Sequence, residues 1–130
     1  MINWWALLSS MVASVVLGFI WYGPLFGKKW MALTGIQMPA EKPPFSTMVK
    51  PIVISLVGAL FASFILSSGI ETSDLKIGLL AGFFAWIGFI VPVHLNFVAW
   101  EGKPWALFAI QAGYWLVLLA IMGAIIAAFR

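Results

Sequence analysis

Four long stretches without a formal charge dominate this chain of 130 residues. They cover residues 1–27, 51–70, 77–100 and 104–129. At about 1.5 Å per helical residue, each is long enough to cross a hydrocarbon core about 30 Å thick. The pattern predicts one all-α integral membrane domain over residues 1–130, built as a bundle of four transmembrane helices.

The composition agrees with a chain that lies mostly in lipid. Hydrophobic residues make up 64% of the sequence and charged residues 8%, whereas soluble domains carry about 25% charged residues. The net charge of +3 comes from lysines beyond the helix ends, where they anchor the chain among head groups, so it does not indicate a nucleic-acid partner. With one histidine, no cysteine and no acidic residue inside a span, we predict no metal site, cofactor or catalytic residue.

The predicted spans cover about residues 4–23, 50–70, 76–99 and 104–129, and residues 24–48 form a cytoplasmic linker. We expect the first span to end where Gly23 and Pro24 interrupt the helical pattern. Aromatic and basic side chains are mixed around Trp30, which predicts a short interfacial helix between the first two spans. Three prolines follow and predict an extended segment: Pro39, Pro43 and Pro44.

Basic residues are divided unevenly between the two sides of the bundle. One side carries Lys28, Lys29, Lys42, Lys50 and Lys103, and the other carries Lys76 and Arg130. Because basic loops stay in the cytoplasm, this bias predicts an inner-membrane protein with a cytoplasmic first loop and both termini outside. The bias is moderate, so insertion in both orientations stays open.

The predicted packing rests on a short turn and on small residues. The turn from Glu101 to Lys103 is so short that the third and fourth helices must be adjacent and antiparallel. Small residues recur at four-residue spacing, as in Gly78 and Gly82, and allow helices to approach closely in lipid. On the fourth helix this pattern consists of Ala109 with Gly113 and of Ala120 with Ala124. Packing within one chain is the first interpretation of these stripes, and stripes on all four helices also leave a surface that could pair with a second copy.

Polar side chains inside the spans are the candidates for a site, because they are costly in hydrocarbon. His94 lies eight residues before Gly102 and Gln111 nine residues after it, so the hairpin places the two at similar depth. Asn96 and Tyr22 are expected near the same end of the bundle. This cluster predicts a ligand-binding site or a proton relay, and a structural hydrogen-bond network between helices is the alternative.

Glu101 follows His94 by seven residues and lies on nearly the same helical face. We predict that it is a proton or gating partner of the histidine, with a solvated turn residue beside Lys103 as the alternative. Trp86, Tyr114 and Trp115 fall near the middle of adjacent helices and are predicted to form the walls of a pocket. The alternative is that these aromatic side chains face lipid or fill the bundle.

Three segments resemble one family of small membrane proteins. They are Trp21-Tyr-Gly-Pro-Leu-Phe-Gly-Lys-Lys-Trp-Met-Ala-Leu-Thr-Gly35, Val98-Ala-Trp-Glu-Gly-Lys-Pro-Trp105 and Gln111-Ala-Gly-Tyr114. The family is domain of unknown function 1761, and the likeness extends over nearly the whole chain. The resemblance implies a four-helix membrane protein and transfers no catalytic residue to this sequence.

These observations favour a homo-oligomeric membrane protein that binds a small hydrophobic or aromatic molecule, or a lipid, in a cytoplasm-side pocket. Transport of that molecule is one version of the hypothesis. One alternative is a structural or accessory subunit that partners other membrane subunits. A second alternative is a small membrane oxidoreductase that uses His94.

Overall fold

The computed structural model describes residues 2–35 and 44–130, and most of the predicted extended segment lies outside these residues. The described residues form five helices and no strand. The helices are α1 (Trp4–Leu25), α2 (Gly27–Thr34), α3 (Ser46–Gly69), α4 (Leu75–Glu101) and α5 (Trp105–Ala128). All except α2 are long and apolar enough to cross a membrane. The predicted all-α membrane fold with four spanning helices is therefore confirmed.

Local capping explains where two of the spans begin. The side chain of Asn3 accepts hydrogen bonds from the backbone N–H groups of Trp5 and Ala6, at 3.0 and 3.3 Å. The side chain of Asp74 accepts one from the backbone N–H of Lys76 at 2.9 Å. These bonds satisfy N–H groups that have no partner within the first helical turn.

Glycines in the left-handed conformation end α2 and α4. Gly35 has a φ of 78° and Gly102 a φ of 66°, a region in which a β-carbon would be strained. The turn at Gly102 leads directly through Lys103 to Pro104, the residue before α5. This geometry produces the short connection between α4 and α5.

The first span does not end at Gly23 and Pro24, contrary to the sequence prediction. The helix continues to Leu25 through a π-helical turn over residues Trp21–Leu25, and α2 begins after Phe26. A second π-helical turn, Trp86–Ile90, precedes Pro92 in α4. Since a proline lacks an N–H and crowds the preceding turn, a local widening of the helix accommodates it without ending the span.

Helix α5 lies at the centre of the bundle and contacts all four other helices. The pairing of α4 with α5 is the most extensive, and the prediction that they are adjacent and antiparallel is confirmed. The backbone of Gly78 contacts that of Gly123, and Gly82 contacts the backbone of Leu119. A β-carbon at any of the three glycines would collide with this backbone.

The predicted small-residue pair of α4 is therefore an interhelical contact. Gly78 lies against Gly123 of α5, and Gly82 lies against the backbone of Leu119 and Ala120. Gly113, in the other half of α5, leaves room for the indole of Trp21.

Helix α1 packs mainly against α3 and α5. Small buried residues mark these contacts, including Ser10 and Ser14 of α1 and Ser63 of α3. The hydroxyl of each serine donates to a carbonyl of its own helix, so these side chains allow close packing without joining the helices. Helices α3 and α4 make few contacts, and an apolar groove of about 540 Å³ lies between them and α5.

The two ends of the bundle differ in structure. The end of α1, the whole of α2 and the start of α3 lie together with the turn from α4 to α5, and we call this the α2 end. At the opposite end, the guanidinium group of Arg130 donates to the carbonyl oxygens of Ser67 and Ile70, at 2.7 and 2.8 Å. Arg130 thereby satisfies carbonyl groups at the end of α3.

Candidate ligand-binding cavity

A cavity of about 560 Å³ lies at the α2 end, between α1, α2, α3 and α5. Its size falls in the range of about 300–1,000 Å³ that small-molecule sites occupy. Apolar side chains form much of its wall, among them Val15, Phe19, Met48 and Ile52. No charged side chain among the described residues lines it, and its polar groups come from a small set of aromatic, amide and hydroxyl side chains.

Tyr114 is fixed on the α5 side of the cavity. Its hydroxyl donates to the backbone carbonyl of Ser14 in α1 at 2.9 Å, and this bond ties the two helices together. The ring lies against the ring of Tyr22, with 5.5 Å between the centroids. Tyr114 is thus both a link between helices and part of the cavity wall.

Tyr22 and Trp30 continue this aromatic wall from α1 to α2. Their rings meet edge to face with centroids 5.1 Å apart, a favoured geometry for aromatic pairs. The Tyr22 hydroxyl makes no hydrogen bond to any described residue. The indole Nε1 of Trp30 is buried and likewise has no partner among the described residues.

Gln111 contributes an amide from α5. The residue is half-buried and lines the cavity, and its side chain has no hydrogen-bond partner within residues 2–35 and 44–130. An amide offers two N–H donors and one carbonyl acceptor. The cavity therefore has two polar side chains in its lining, Tyr22 and Gln111, that form no hydrogen bond with a described residue.

The structure brings together three of the residues predicted from the sequence. Tyr22, Gln111 and Tyr114 line the same cavity. Sequence reasoning missed Trp30, because it assigned this residue only to an interfacial helix. The mixed aromatic and basic composition around Trp30 predicts α2 itself, but it does not indicate that α2 folds back against Tyr22.

His94 lies outside this cavity. Its Nδ1 is 3.0 Å from the carbonyl oxygen of Ile90 on its own helix, and its ring meets that of Phe97 edge to face. No hydrogen bond links it to Gln111 or to Glu101 among the described residues. His94 and Gln111 have similar depth in the hairpin, but their side chains point away from each other on their two helices and do not meet.

Asn96 and Glu101 also lie away from the cavity. The side chain of Asn96 is exposed on α4 and forms no hydrogen bond with a described residue. Glu101 is exposed and is the last residue of α4. The predicted cluster around His94 therefore separates from the residues that line the cavity.

Trp86 and Trp115 do not form the walls that the sequence suggested. The indole Nε1 of Trp86 donates to the carbonyl oxygen of Ala112 at 2.7 Å and links α4 to α5. Trp115 lines the apolar groove between α3, α4 and α5. Tyr114 and Trp115 are adjacent in sequence, so they point about 100° apart around α5 and reach different cavities.

A metal centre has no support in the described part of the chain. No group of three or more histidine, cysteine, aspartate or glutamate side chains in this part of the chain is placed to hold an ion.

One known protein family matches almost the whole membrane domain. The sequence matches the model of the family described as Protein of unknown function (DUF1761) over residues 5–127. The chain belongs to this family. The matched region includes the four spans almost completely and every residue that lines the cavity of this DUF1761 protein. No curated protein and no solved structure matched the chain.

Proposed function

We propose that this DUF1761 protein binds a small hydrophobic or aromatic molecule, or a lipid, in the cavity at the α2 end. The observation that carries the proposal is a cavity of about 560 Å³ with largely apolar walls, in which the polar side chains of Tyr22 and Gln111 form no hydrogen bond with a described residue. Small-molecule sites typically combine apolar walls with a few polar groups that orient the ligand. A ligand with an apolar body and a polar group would satisfy both requirements.

We further propose that the protein resides in the cell inner membrane with the α2 end in the cytoplasm. The support is the excess of basic residues in the sequence around this end. In this orientation, the cavity lies in the cytoplasmic half of the bundle. Transport would require the same cavity to open toward the other side, so binding is the simpler function and the one to test first.

The proposal is tested by native mass spectrometry of the protein released gently from its own membrane. We expect the wild-type chain to carry one reproducible additional mass. Ser55→Phe should lose this mass, because Ser55 lines the cavity and a phenyl ring would fill it. Val57→Phe is the matched control, because Val57 lies on the same helix and is exposed. A wild-type chain without any additional mass, or equal retention in both variants, would contradict binding in this cavity.

A second candidate function is that of an accessory subunit in a larger membrane complex. The observation that favours it is the exposed amide of Asn96 within a membrane span, since such a group in lipid gains from a partner helix. A second copy of this chain would satisfy the same amide and form a homo-oligomer. The same spectrum separates these candidates, because other proteins bound to the chain indicate a subunit and multiples of its mass indicate an oligomer.

A further inference from the structure

The side chain of Asn96 is an amide exposed on the surface of a membrane-spanning helix. It lies near the end of α4 and forms no hydrogen bond with a described residue. At 1.5 Å per residue, it is about 6 Å nearer the middle of the bilayer than Trp100, an exposed aromatic residue of the kind that marks the membrane interface. So short a side chain does not reach the head groups from that depth, so the amide gains from a partner within the membrane.

The residues on the same side of α4 allow another helix to approach closely. Gly88, Pro92 and Asn96 follow one another at four-residue spacing, and Ala99 comes three residues later, so the four lie on one face of the helix. All four are exposed, and a β-carbon added at Gly88 meets nothing within 4 Å. Small residues such as Gly88 and Ala99 are typical of contacts between transmembrane helices. We call these four residues the Asn96 face.

The chemistry of the amide indicates that its partner is a second copy of this chain. A carboxamide carries two N–H donors and a carbonyl acceptor, so two identical amides that face each other can exchange two hydrogen bonds. A twofold axis along the membrane normal brings the same residue of two copies together. The hydrocarbon chains of lipids have no hydrogen-bonding group and leave the amide unsatisfied.

We propose that two copies of this chain form a parallel dimer through the Asn96 face, in which the two Asn96 amides are hydrogen-bonded to each other across a twofold axis. Both copies must insert in the same orientation, because Asn96 lies near the end of α4 that leads into the short turn to α5. In an inverted copy, this residue would lie near the opposite membrane surface. The dimer assigns the exposed amide to a second copy instead of to another membrane subunit.

This dimer does not depend on ligand binding in the cavity at the α2 end. Helix α4 contributes no residue to the lining of that cavity, which is built from α1, α2, α3 and α5. Pairing through the Asn96 face therefore leaves the cavity unfilled in both copies. The number of copies and the presence of a ligand can be measured separately.

Cysteine crosslinking in the cell's own membranes tests the geometry of the dimer. The chain contains no cysteine, so one introduced cysteine reports one position. With copper phenanthroline as oxidant, we expect Ala99→Cys to form a disulfide-linked dimer of twice the chain mass. Phe97→Cys is the matched control: Phe97 is exposed at nearly the same depth but points about 100° away from Asn96 around the helix, so it should stay uncrosslinked.

The contribution of the amide is measured as a dimer dissociation constant. Purified protein is labelled with donor and acceptor dyes through Ser73→Cys, and energy transfer is followed in phosphatidylcholine vesicles as the protein-to-lipid ratio is lowered. Asn96→Leu should weaken the dimer about five- to thirtyfold, the range expected for hydrogen bonds between membrane helices. Asn96→Gln keeps an amide and should weaken the dimer less than Asn96→Leu does.

Two glycines provide a matched test of the close approach. Gly88 and Gly58 both have open space around an added β-carbon within one chain, but only Gly88 lies on the Asn96 face. Gly88→Phe should therefore weaken the dimer by keeping the two copies of α4 apart, whereas Gly58→Phe in α3 should leave the dissociation constant unchanged.

Three results would overturn the inference: a wild-type chain that is monomeric at every protein-to-lipid ratio, an unchanged dissociation constant in Asn96→Leu, or equal crosslinking at residues 97 and 99. Crosslinking of Ala99→Cys to a different protein would also overturn it and would support the accessory subunit. The proposed ligand binding is judged by a different signal, because an additional mass can be carried by a monomer as well as by a dimer.

Discussion

At the residue scale, two tyrosines in contact with each other have different roles. The hydroxyl of Tyr114 donates across the bundle to the carbonyl of Ser14, whereas that of Tyr22 is unused among the described residues. Tyr114→Phe should therefore lower the free energy of unfolding by about 1 kcal/mol, the value of one hydrogen bond. The measurement is unfolding by sodium dodecyl sulfate in mixed micelles, followed by circular dichroism.

Tyr22→Phe is the matched comparison for this prediction. It removes the same atom from a neighbouring ring and should leave the free energy of unfolding unchanged, because no bond between described residues is lost. Equal losses in the two variants would show that the bond from Tyr114 to Ser14 does not hold α5 to α1.

At the element scale, the contact between α4 and α5 depends on the absence of side chains. Gly82 meets the backbone of Leu119, which cannot rotate away as a side chain could. Gly82→Ala should force the two helices apart and lower the free energy of unfolding by about 2 kcal/mol, as overpacking does in tightly packed interiors. The same detergent titration measures this change.

Gly58→Ala is the control at this scale. Gly58 lies in α3 with nothing within 4 Å of an added β-carbon. We expect no loss of stability there, since alanine has the higher helix propensity and meets open space. A stable Gly82→Ala variant would mean that α4 and α5 tolerate separation.

At the scale of the whole molecule, the charge asymmetry predicts one orientation in the membrane. The chain contains no cysteine, so a single introduced cysteine reports its own position. Ser46 and Ser73 are exposed and lie at opposite ends of the bundle. In intact cells, a membrane-impermeant maleimide should label Ser73→Cys and leave Ser46→Cys unlabelled until the membrane is opened.

Neither of these two substitutions changes the charge, so the balance of basic residues that drives insertion is preserved. Labelling of Ser46→Cys alone would reverse the proposed orientation. Labelling of both variants would establish insertion in both directions.

Sequence reasoning succeeded where one local property decided the structure. The four spans follow from hydropathy and length, and the hairpin of α4 and α5 follows from the short turn at Gly102. The prediction from the sequence failed at Pro24, because a proline can either end a helix or be accommodated by a local widening of it. Pro24 was predicted to end the first helix, yet a π-helical turn carries that helix to Leu25.

The candidate site was only partly predictable, because the sequence gives the depth of a residue in the bundle but not the direction of its side chain. Depth along the bundle can be counted from the sequence, and it predicted Tyr22 and Gln111 near one end, where both line the cavity. Tyr114, which was predicted near the middle of its span, lines the same cavity. The direction of a side chain around its helix depends on which neighbours the helix packs against. This rotation separated His94 from Gln111 and turned Trp115 toward a different cavity from Tyr114.

The sequence by itself determined that this chain forms four helices able to cross a membrane, because its uncharged segments are long enough and apolar enough to span the hydrocarbon core. It also determined the close approach available at Gly78 and Gly82. Only the tertiary structure decided that α5 is the central helix and that α2 folds back to bring Trp30 beside Tyr22. Those features depend on how the helices pack against one another, which no local pattern encodes.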